Sequence, residues 1–435
     1  MELSETRLTQ KQIFIFWIPL AAMWLFMSIE QPGINAVIAR FADAKINLAA
    51  YGITLSLSLI IESPIIQMLT AATALSDSRY NYRKLLKFMH VMAALLTLVH
   101  LILGFTPLYT ILLRDLMDIP AEIIGPSRTS FMIMLPWAAA IGYRRLYQGI
   151  LIRHGKTREI TYIMFTRLCI TMGSLALAAR FTELRGADLG AFAVISGVTG
   201  GMAAAYIFAR SSVRDLPEQG KEKPLQWSYL INFYYPLLLT SVITFIARPI
   251  LNYGIARSAD PLESLAVWPV VLSVMFLFRA LAISYQEVVV ALMKEAGDII
   301  GLRVFAIRMA IVIGLGFLLF ASGPLGKLWF KYVAGLEEEL LGFTALPTLI
   351  IATVPVQGAF LSYYRGVLVY ANQTKYIAQA VFLNTAMLTI LVAVLPIVMP
   401  LSGVLIAAVA FSLCQFVEVF YLGYRARIII RQLRN

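Results

Sequence analysis

The sequence predicts an all-α polytopic membrane protein, with twelve transmembrane helices in two six-helix lobes related by a parallel repeat. Composition is the first observation behind this. Of 435 residues, 60% are hydrophobic and 14% charged, with a mean hydropathy of +0.79; soluble domains run about 45–50% apolar and about 25% charged. The second is an internal repeat at an offset of 217 residues, which lays Phe16–Ala49 over Phe233–Ala266 without a gap. It pairs Phe16 with Phe233, Pro19 with Pro236, Pro32 with Pro249, Asn35 with Asn252, Arg40 with Arg257 and Asp43 with Asp260. The same shift brings Tyr147, Gly149, Leu151 and Thr157 onto Tyr364, Gly366, Leu368 and Thr374. The third is that basic residues gather on alternate connections, as the positive-inside rule requires of a polytopic chain.

A span needs roughly 20 apolar residues, and the hydropathy pattern supplies twelve. They fall at about 13–39, 47–76, 85–112, 128–152, 160–182 and 187–209 in the first half, then 228–256, 262–293, 302–322, 344–370, 376–399 and 402–427. The expected organisation is therefore a lobe over 1–210, a cytoplasmic linker over 211–226 (SSVRDLPEQGKEKPLQ) and a second lobe over 227–435. The other connections are too short to hold a soluble catalytic domain. The polar first eleven residues lead into a span that lacks a small-residue cleavage site, so no cleavable leader is expected. Cys169 and Cys414 both fall inside expected helices, which argues against a disulfide framework or a cysteine metal site.

The net charge of +12 is explained by topology, and no nucleic-acid partner is expected. Arg79, Arg83, Lys84 and Lys87, then Arg153, Lys156 and Arg158, then Arg210, Arg214, Lys221 and Lys223, then Lys294 and Arg303, and finally Arg425, Arg427, Arg431 and Arg434 all belong to one side. The opposite side holds the acidic run Glu337–Glu339. Both termini are thus expected in the cytoplasm of a multi-pass plasma (inner) membrane protein, with attraction to anionic lipid as a second effect. Six spans return the chain to its starting side, so the two copies enter the bilayer in the same direction. Pro32 and Pro249 sit late in the first helix of each copy, where proline removes a backbone hydrogen bond. They serve either as a gate or as a mere kink.

Charges inside spans are costly and mark pathways or pairs. Here they are Glu30, Glu62, Arg144, Arg145, Arg167, Arg248, Arg279, Glu287, Arg365 and Glu418. The offset matches Gln31 with Arg248, Glu62 with Arg279 and Gln148 with Arg365, and at all three the second copy is the more positive. Glu62 and Arg279 lie about sixteen residues into the second helix of each half, near the bilayer midplane at roughly 1.5 Å per residue. They would face one another across a cavity, close the lobe interface as a salt bridge, or each pair inside its own lobe. Arginine outnumbers glutamate in this set, and guanidinium forks suit carboxylate and phosphate oxygens. A small-molecule anionic substrate is expected. Its expected contacts are Arg279, Arg248, Arg145 and Arg365, with neutral hydrogen bonds from Asn35, Asn252, Tyr147 and Gln148. Glu30 and Glu62 would hold the arginines or carry a coupling proton or sodium ion.

No Walker A sequence is present, since GPLGK at Gly323–Lys327 has the wrong spacing. His90, His100 and His154 are scattered, and no nucleophile elbow or zinc motif occurs. No cofactor, metal or enzymatic activity is expected, and the chain is expected to be monomeric.

Specific stretches resemble the progressive ankylosis protein family in a bacterial-type form. That family lies within the superfamily of multidrug, oligosaccharidyl-lipid and polysaccharide exporters, which includes the multidrug and toxic compound extrusion proteins. The stretches are Glu30 and Gln31 with Asn35, AAYG at Ala49–Gly52, ARPILN at Ala247–Asn252 and GILIRHG at Gly149–Gly155. The resemblance implies a multidrug and toxic compound extrusion-like fold and export of small polyanions such as citrate, nucleotides or pyrophosphate. Eukaryotic relatives in that family carry a long polar tail that this sequence, ending at Asn435, does not include, so tail-dependent regulation is not carried over from the resemblance. Two alternatives remain: a proton- or sodium-coupled multidrug antiporter working through Glu30 or Glu62, and a flippase for a lipid-linked anion.

Overall fold

Apolar segments in lipid must satisfy their backbone hydrogen bonds internally, which leaves helices as the working unit of this chain. The computed structural model describes residues 8–218, 224–293, 298–371 and 373–434. The first copy of the repeat runs through α1 (Gln10–Ile38), α2 (Ala44–Glu62), α3 (Met68–Leu75), α4 (Arg79–Phe105), α5 (Leu108–Thr110), α6 (Ala121–Ile133), α7 (Trp137–Arg153), α8 (Thr157–Phe181) and α9 (Gly186–Arg214). The second runs through α10 (Trp227–Ala256), α11 (Pro261–Ile283), α12 (Tyr285–Leu292), α13 (Asp298–Ser322), α14 (Pro324–Leu328), α15 (Glu338–Leu341), α16 (Ala345–Ile350), α17 (Thr353–Tyr370), α18 (Lys375–Val398) and α19 (Gly403–Arg434). Lys221, Lys223, Lys294, the middle of the expected linker and the first seven residues lie outside the described residues.

The repeat extends to backbone detail. Asp43 and Asp260, 217 residues apart, both take a left-handed conformation with φ of 52° immediately before α2 and α11. Asp118 and Gly335 repeat this at φ of 53° and 72°. A π-helical turn follows α5 at Ile111–Leu116, and another follows α14 at Trp329–Val333. Each of these features recurs at the offset that the proline and asparagine pairs set.

Eleven of the described helices are long and apolar enough to span a bilayer, against the twelve expected. The missing one is the stretch 128–152. It divides into α6 and α7 around Pro136, which cannot continue the ladder of α6. Its longer part, α7, has 17 residues and carries Arg144, Arg145 and Arg153. The expected span 47–76 is likewise two helices, with α2 ending at Glu62 and α3 starting at Met68 on either side of Pro64. The span 262–293 divides at Ser284 into α11 and α12. The freed groups at the first break are satisfied locally, by Ser63 N to Ile60 O at 3.3 Å and Ile65 N to Glu62 O at 2.9 Å.

By packing, one compact unit is the chain up to Pro32 together with Arg257–Asn435, and the other is Gly33–Ala256. These units and the sequence halves 1–210 and 227–435 are different partitions of the chain, because the first helix of each copy packs with the other copy. In one unit, the Trp17 indole N–H on α1 donates to Leu281 O at 3.0 Å. In the other, the Tyr234 hydroxyl on α10 donates to Pro64 O at 2.8 Å. Positions 17 and 234 correspond under the offset, as do 64 and 281, so the exchange is reciprocal. Ile13 completes a core of Tyr285, Val288, Val289, Leu302 and Phe305 in the first unit. In the second, α10 is further held by Gln67 Nε2 to Ser241 Oγ at 2.7 Å and by Asn252 Nδ2 to Ser56 Oγ at 2.9 Å.

Candidate functional site

Broken helices inside a membrane are tolerated where they are buried in protein or line a water-filled cavity, which is why they mark sites. Glu62 is the last residue of α2 before the break at Pro64, and it is 3% exposed. Its carboxyl group feels the guanidinium groups of Arg144, Arg145, Arg167 and Arg248. These come from three helices: α7 supplies Arg144 and Arg145, α8 supplies Arg167, and α10 supplies Arg248. The oxygen Oε2 of Glu62 is buried without a hydrogen-bond partner, as are Nε of Arg145 and Oε1 of Gln148. Four guanidiniums act on this one carboxylate. Arg248 is the exposed member and Arg144 is among the largest fully buried side chains.

Two details fix this nest. Arg144 Nη1 and Gln148 Nε2 converge on the Met164 sulfur at 3.6 and 3.8 Å. Gly201 on α9 lets the stems pass, because a Cβ there would lie 3.3 Å from Arg167 Cβ and 3.5 Å from Arg144 Cδ. Beside the nest, Tyr147 stacks edge-on against Tyr206 with ring centroids 5.4 Å apart.

The unit built on the second copy carries its own charged nest. Arg365 on α17 pairs with Glu418 on α19, and the second carboxylate oxygen of Glu418 accepts from Asn384 Nδ2 at 2.9 Å. Arg279 on α11 feels both Arg365 and Glu418, and its Nε is buried without a partner.

The residues singled out in the sequence therefore divide in two. Glu62, Arg145, Arg248, Gln148, Tyr147, Asn35 and Asn252 belong to the unit Gly33–Ala256, whereas Arg279, Arg365 and Glu30 belong to the other. Glu62 and Arg279 each have opposite charge within their own unit. Glu30 and Asn35 are both buried; Pro32 and Pro249 lie inside unbroken α1 and α10. Glu287 is exposed on α12 and joins neither nest. Sequence reasoning passed over Asn384 and Gly201, which the offset would have exposed: 384 matches Arg167, and Glu418 matches 201. Among the described residues no group of His, Cys, Asp or Glu could hold a metal ion.

No family model and no curated protein matches the chain. Solved structures do. The lipid II flippase MurJ in an inward closed conformation is similar at a TM-score of 0.71 and 14% identity, covering 94% of this chain and 87% of that one. An inward-facing multidrug resistance MATE family transporter of the MOP superfamily is similar at 0.66 and 14%, over 95% of both chains. A MOP superfamily transporter from Pyrococcus furiosus, described as having a binding pocket of reverse polarity, is similar at 0.64 and 16%, over 99% and 98%. At such identities the likeness is one of fold. The fold is the two-lobed helical architecture of MATE-like transporters, and the narrower resemblance to the progressive ankylosis family stands on the sequence stretches alone.

Proposed function

We propose that the protein is an alternating-access membrane transporter whose cargo presents an anionic group to the arginines around Glu62. The observation that carries this is the nest itself, in which four guanidiniums act on the buried Glu62 carboxylate beside a helix break. Arginine stays charged when buried and grips phosphate or carboxylate oxygens in a fork. Arg145, Arg248, Gln148 and Tyr147 are the contacts, with Asn35 and Asn252 supplying neutral hydrogen bonds. Arg279 and Arg365 are the second copy's own anion contacts.

Likeness to a lipid II flippase supports a lipid-linked anion over the free citrate, nucleotide or pyrophosphate that the sequence resemblance implies. The second reading is a proton- or sodium-coupled multidrug antiporter, favoured by likeness to MATE transporters and by a lone buried carboxylate at Glu62. Both termini are cytoplasmic in either reading, and one chain suffices.

Proteoliposomes separate these outcomes. The assay follows a fluorescent polyprenyl diphosphate across the bilayer, labelled citrate, ATP and pyrophosphate into the lumen, and a lipophilic cation, each with wild-type protein and Arg145→Ala. Flipping of the diphosphate that is lost in the variant supports the lipid-linked reading. Uptake of a soluble anion restores the small-polyanion one. Gradient-driven flux of the cation alone, abolished by Glu62→Gln, overturns both anionic readings.

A further inference from the structure

Away from Glu62, at the end of the bundle that the distribution of basic residues assigns to the cytoplasm, the start of α4 and the end of α9 enclose a cleft of about 690 Å³. Arg79, Arg83, Arg210 and Arg214 line it, with Tyr82 and Ser211 between them. Two of the four guanidiniums have a carboxylate: Arg79 lies 2.8 Å from Glu218, and Arg214 lies 3.7 Å from Asp215. Among the described residues Arg83 and Arg210 make no ion pair. Lys156 adds a further cation at the rim, its Nζ donating to Ser211 Oγ at 3.1 Å.

The backbone at the start of α4 is already engaged, with Arg79 N on Pro217 O at 2.8 Å and Asn81 N on Ser78 Oγ at 3.2 Å. Any anion in the cleft is thus held by side chains. Among the described residues four guanidiniums face two carboxylates, which leaves two positive charges uncompensated in one concavity. A phosphate monoester, at about −1.5 to −2 near neutral pH, offers the matching charge and three acceptor oxygens. Topology alone does not account for the cluster: the second copy keeps Arg427 and Arg431 where the first has Arg210 and Arg214, but has Ile299 and Ile300 in place of Tyr82 and Arg83. The Tyr82 and Arg83 side of the cleft has no counterpart in the second copy.

We propose that this cleft is a binding site for a phosphomonoester group, carried either by a membrane lipid or by a soluble phosphate ester, separate from the Glu62 nest. It borders that nest through Tyr82, whose side chain hydrogen-bonds Tyr147 on α7.

The test uses full-length protein in nanodiscs of phosphatidylcholine doped with phosphatidic acid, with retained lipid counted by native mass spectrometry. The double variant Arg83→Gln/Arg210→Gln loses two charge-assisted contacts, so retention of phosphatidic acid falls about tenfold or more. The double variant Arg427→Gln/Arg431→Gln at the matched positions leaves it unchanged. Glu218→Gln releases Arg79 and raises retention, a gain that no folding defect imitates. Competition by glycerol 3-phosphate assigns the site to soluble esters, and resistance to it assigns the site to the lipid. Equal loss in both double variants, equal retention of phosphatidylcholine, or a fall in Glu218→Gln overturns the proposal.

Discussion

The two copies of the repeat distribute charge differently over matched positions inside the spans, and only at 62 and 279 do both carry one, with opposite sign. In the first, position 62 is a glutamate and the matched positions on the later helices are Gln148, Arg167 and Gly201; in the second they are Arg279, Arg365, Asn384 and Glu418. The acid has moved from the helix before the break to the last helix of the copy. Around Glu418 the charges close on themselves, since Arg365 and Asn384 engage its two oxygens. Around Glu62 four guanidinium groups act on the carboxylate, and its Oε2 has no hydrogen-bond partner. Glu418 is thus tied by direct hydrogen bonds, whereas Glu62 sits among guanidiniums with Oε2 lacking a hydrogen-bond partner. Breaking a direct buried pair removes a hydrogen-bonded partner, whereas removing one of several nearby charges leaves the others in place.

That difference predicts the largest effect. Arg365→Ala removes the direct charged partner of the buried Glu418 carboxylate and should cost about 3–5 kcal/mol, read as a fall in the thermal unfolding midpoint of the purified protein. Arg145→Ala leaves Glu62 with three other guanidiniums and should cost about 1 kcal/mol or less. Equal losses in the two variants would falsify the contrast between the directly paired Glu418 and the more loosely held Glu62.

Next come two glycines on which the copies should agree. A Cβ on Gly149 would lie 2.6 Å from Ala72 Cβ and 2.6 Å from Leu69 O; on Gly366 it would lie 2.6 Å from Val289 Cβ and 3.1 Å from Gln286 O. The contacts correspond residue for residue under the offset, and both press a helix against the short helix after a break. Overpacking of this kind costs roughly 1–3 kcal/mol. Alanine at either position should lower stability by the upper part of that range, and a tolerated Gly366→Ala beside a damaging Gly149→Ala would show that the equivalence stops at the backbone.

A smaller effect sharpens the functional side. Glu62→Gln keeps the size of the side chain and removes the counter-charge of the nest. An anionic cargo should then bind about tenfold more tightly, equivalent to about 1.4 kcal/mol, and turn over more slowly because release is opposed. Tighter binding of a cationic probe in place of the anion would assign the carboxylate to the antiporter reading.

Much of this was legible in the sequence because the repeat is gapless. Asp43 and Asp260 share a left-handed backbone, and Gly149 and Gly366 share a crowded contact, both at the offset that Pro32 and Pro249 reveal. The helix breaks were only half legible. Pro64 and Pro136 mark them in the first copy, but Leu281 and Thr353 stand at those positions in the second, so hydropathy ran through the breaks. Gly201 escaped notice because a missing side chain gives no signal of charge, although its counterpart Glu418 was visible. Nor did register reveal which copy α1 and α10 pack against, since matching residues define equivalence and leave partnership open.

That exchange carries the smallest prediction. Trp17 and Tyr234 stand at equivalent positions, and each donates one hydrogen bond to a backbone carbonyl in the copy to which its helix does not covalently belong. The carbonyl of Pro64 sits within the turn after α2, where no helical N–H reaches it, so Tyr234 is its donor. Leu281 lies inside α11, and its carbonyl keeps other donors nearby, among them the Ser284 hydroxyl at 3.3 Å. Tyr234→Phe removes a hydroxyl and little volume, which leaves the Pro64 carbonyl without its partner at about 1 kcal/mol. Trp17→Phe also removes a hydrogen bond, but onto a carbonyl that retains another. Its loss beyond the change in ring size should therefore be smaller than that of Tyr234→Phe. Faster hydrogen exchange at α10 in Tyr234→Phe, with less change at α1 in Trp17→Phe, is the expected pattern, and the reverse would mean that α1 is the more weakly docked of the two exchanged helices.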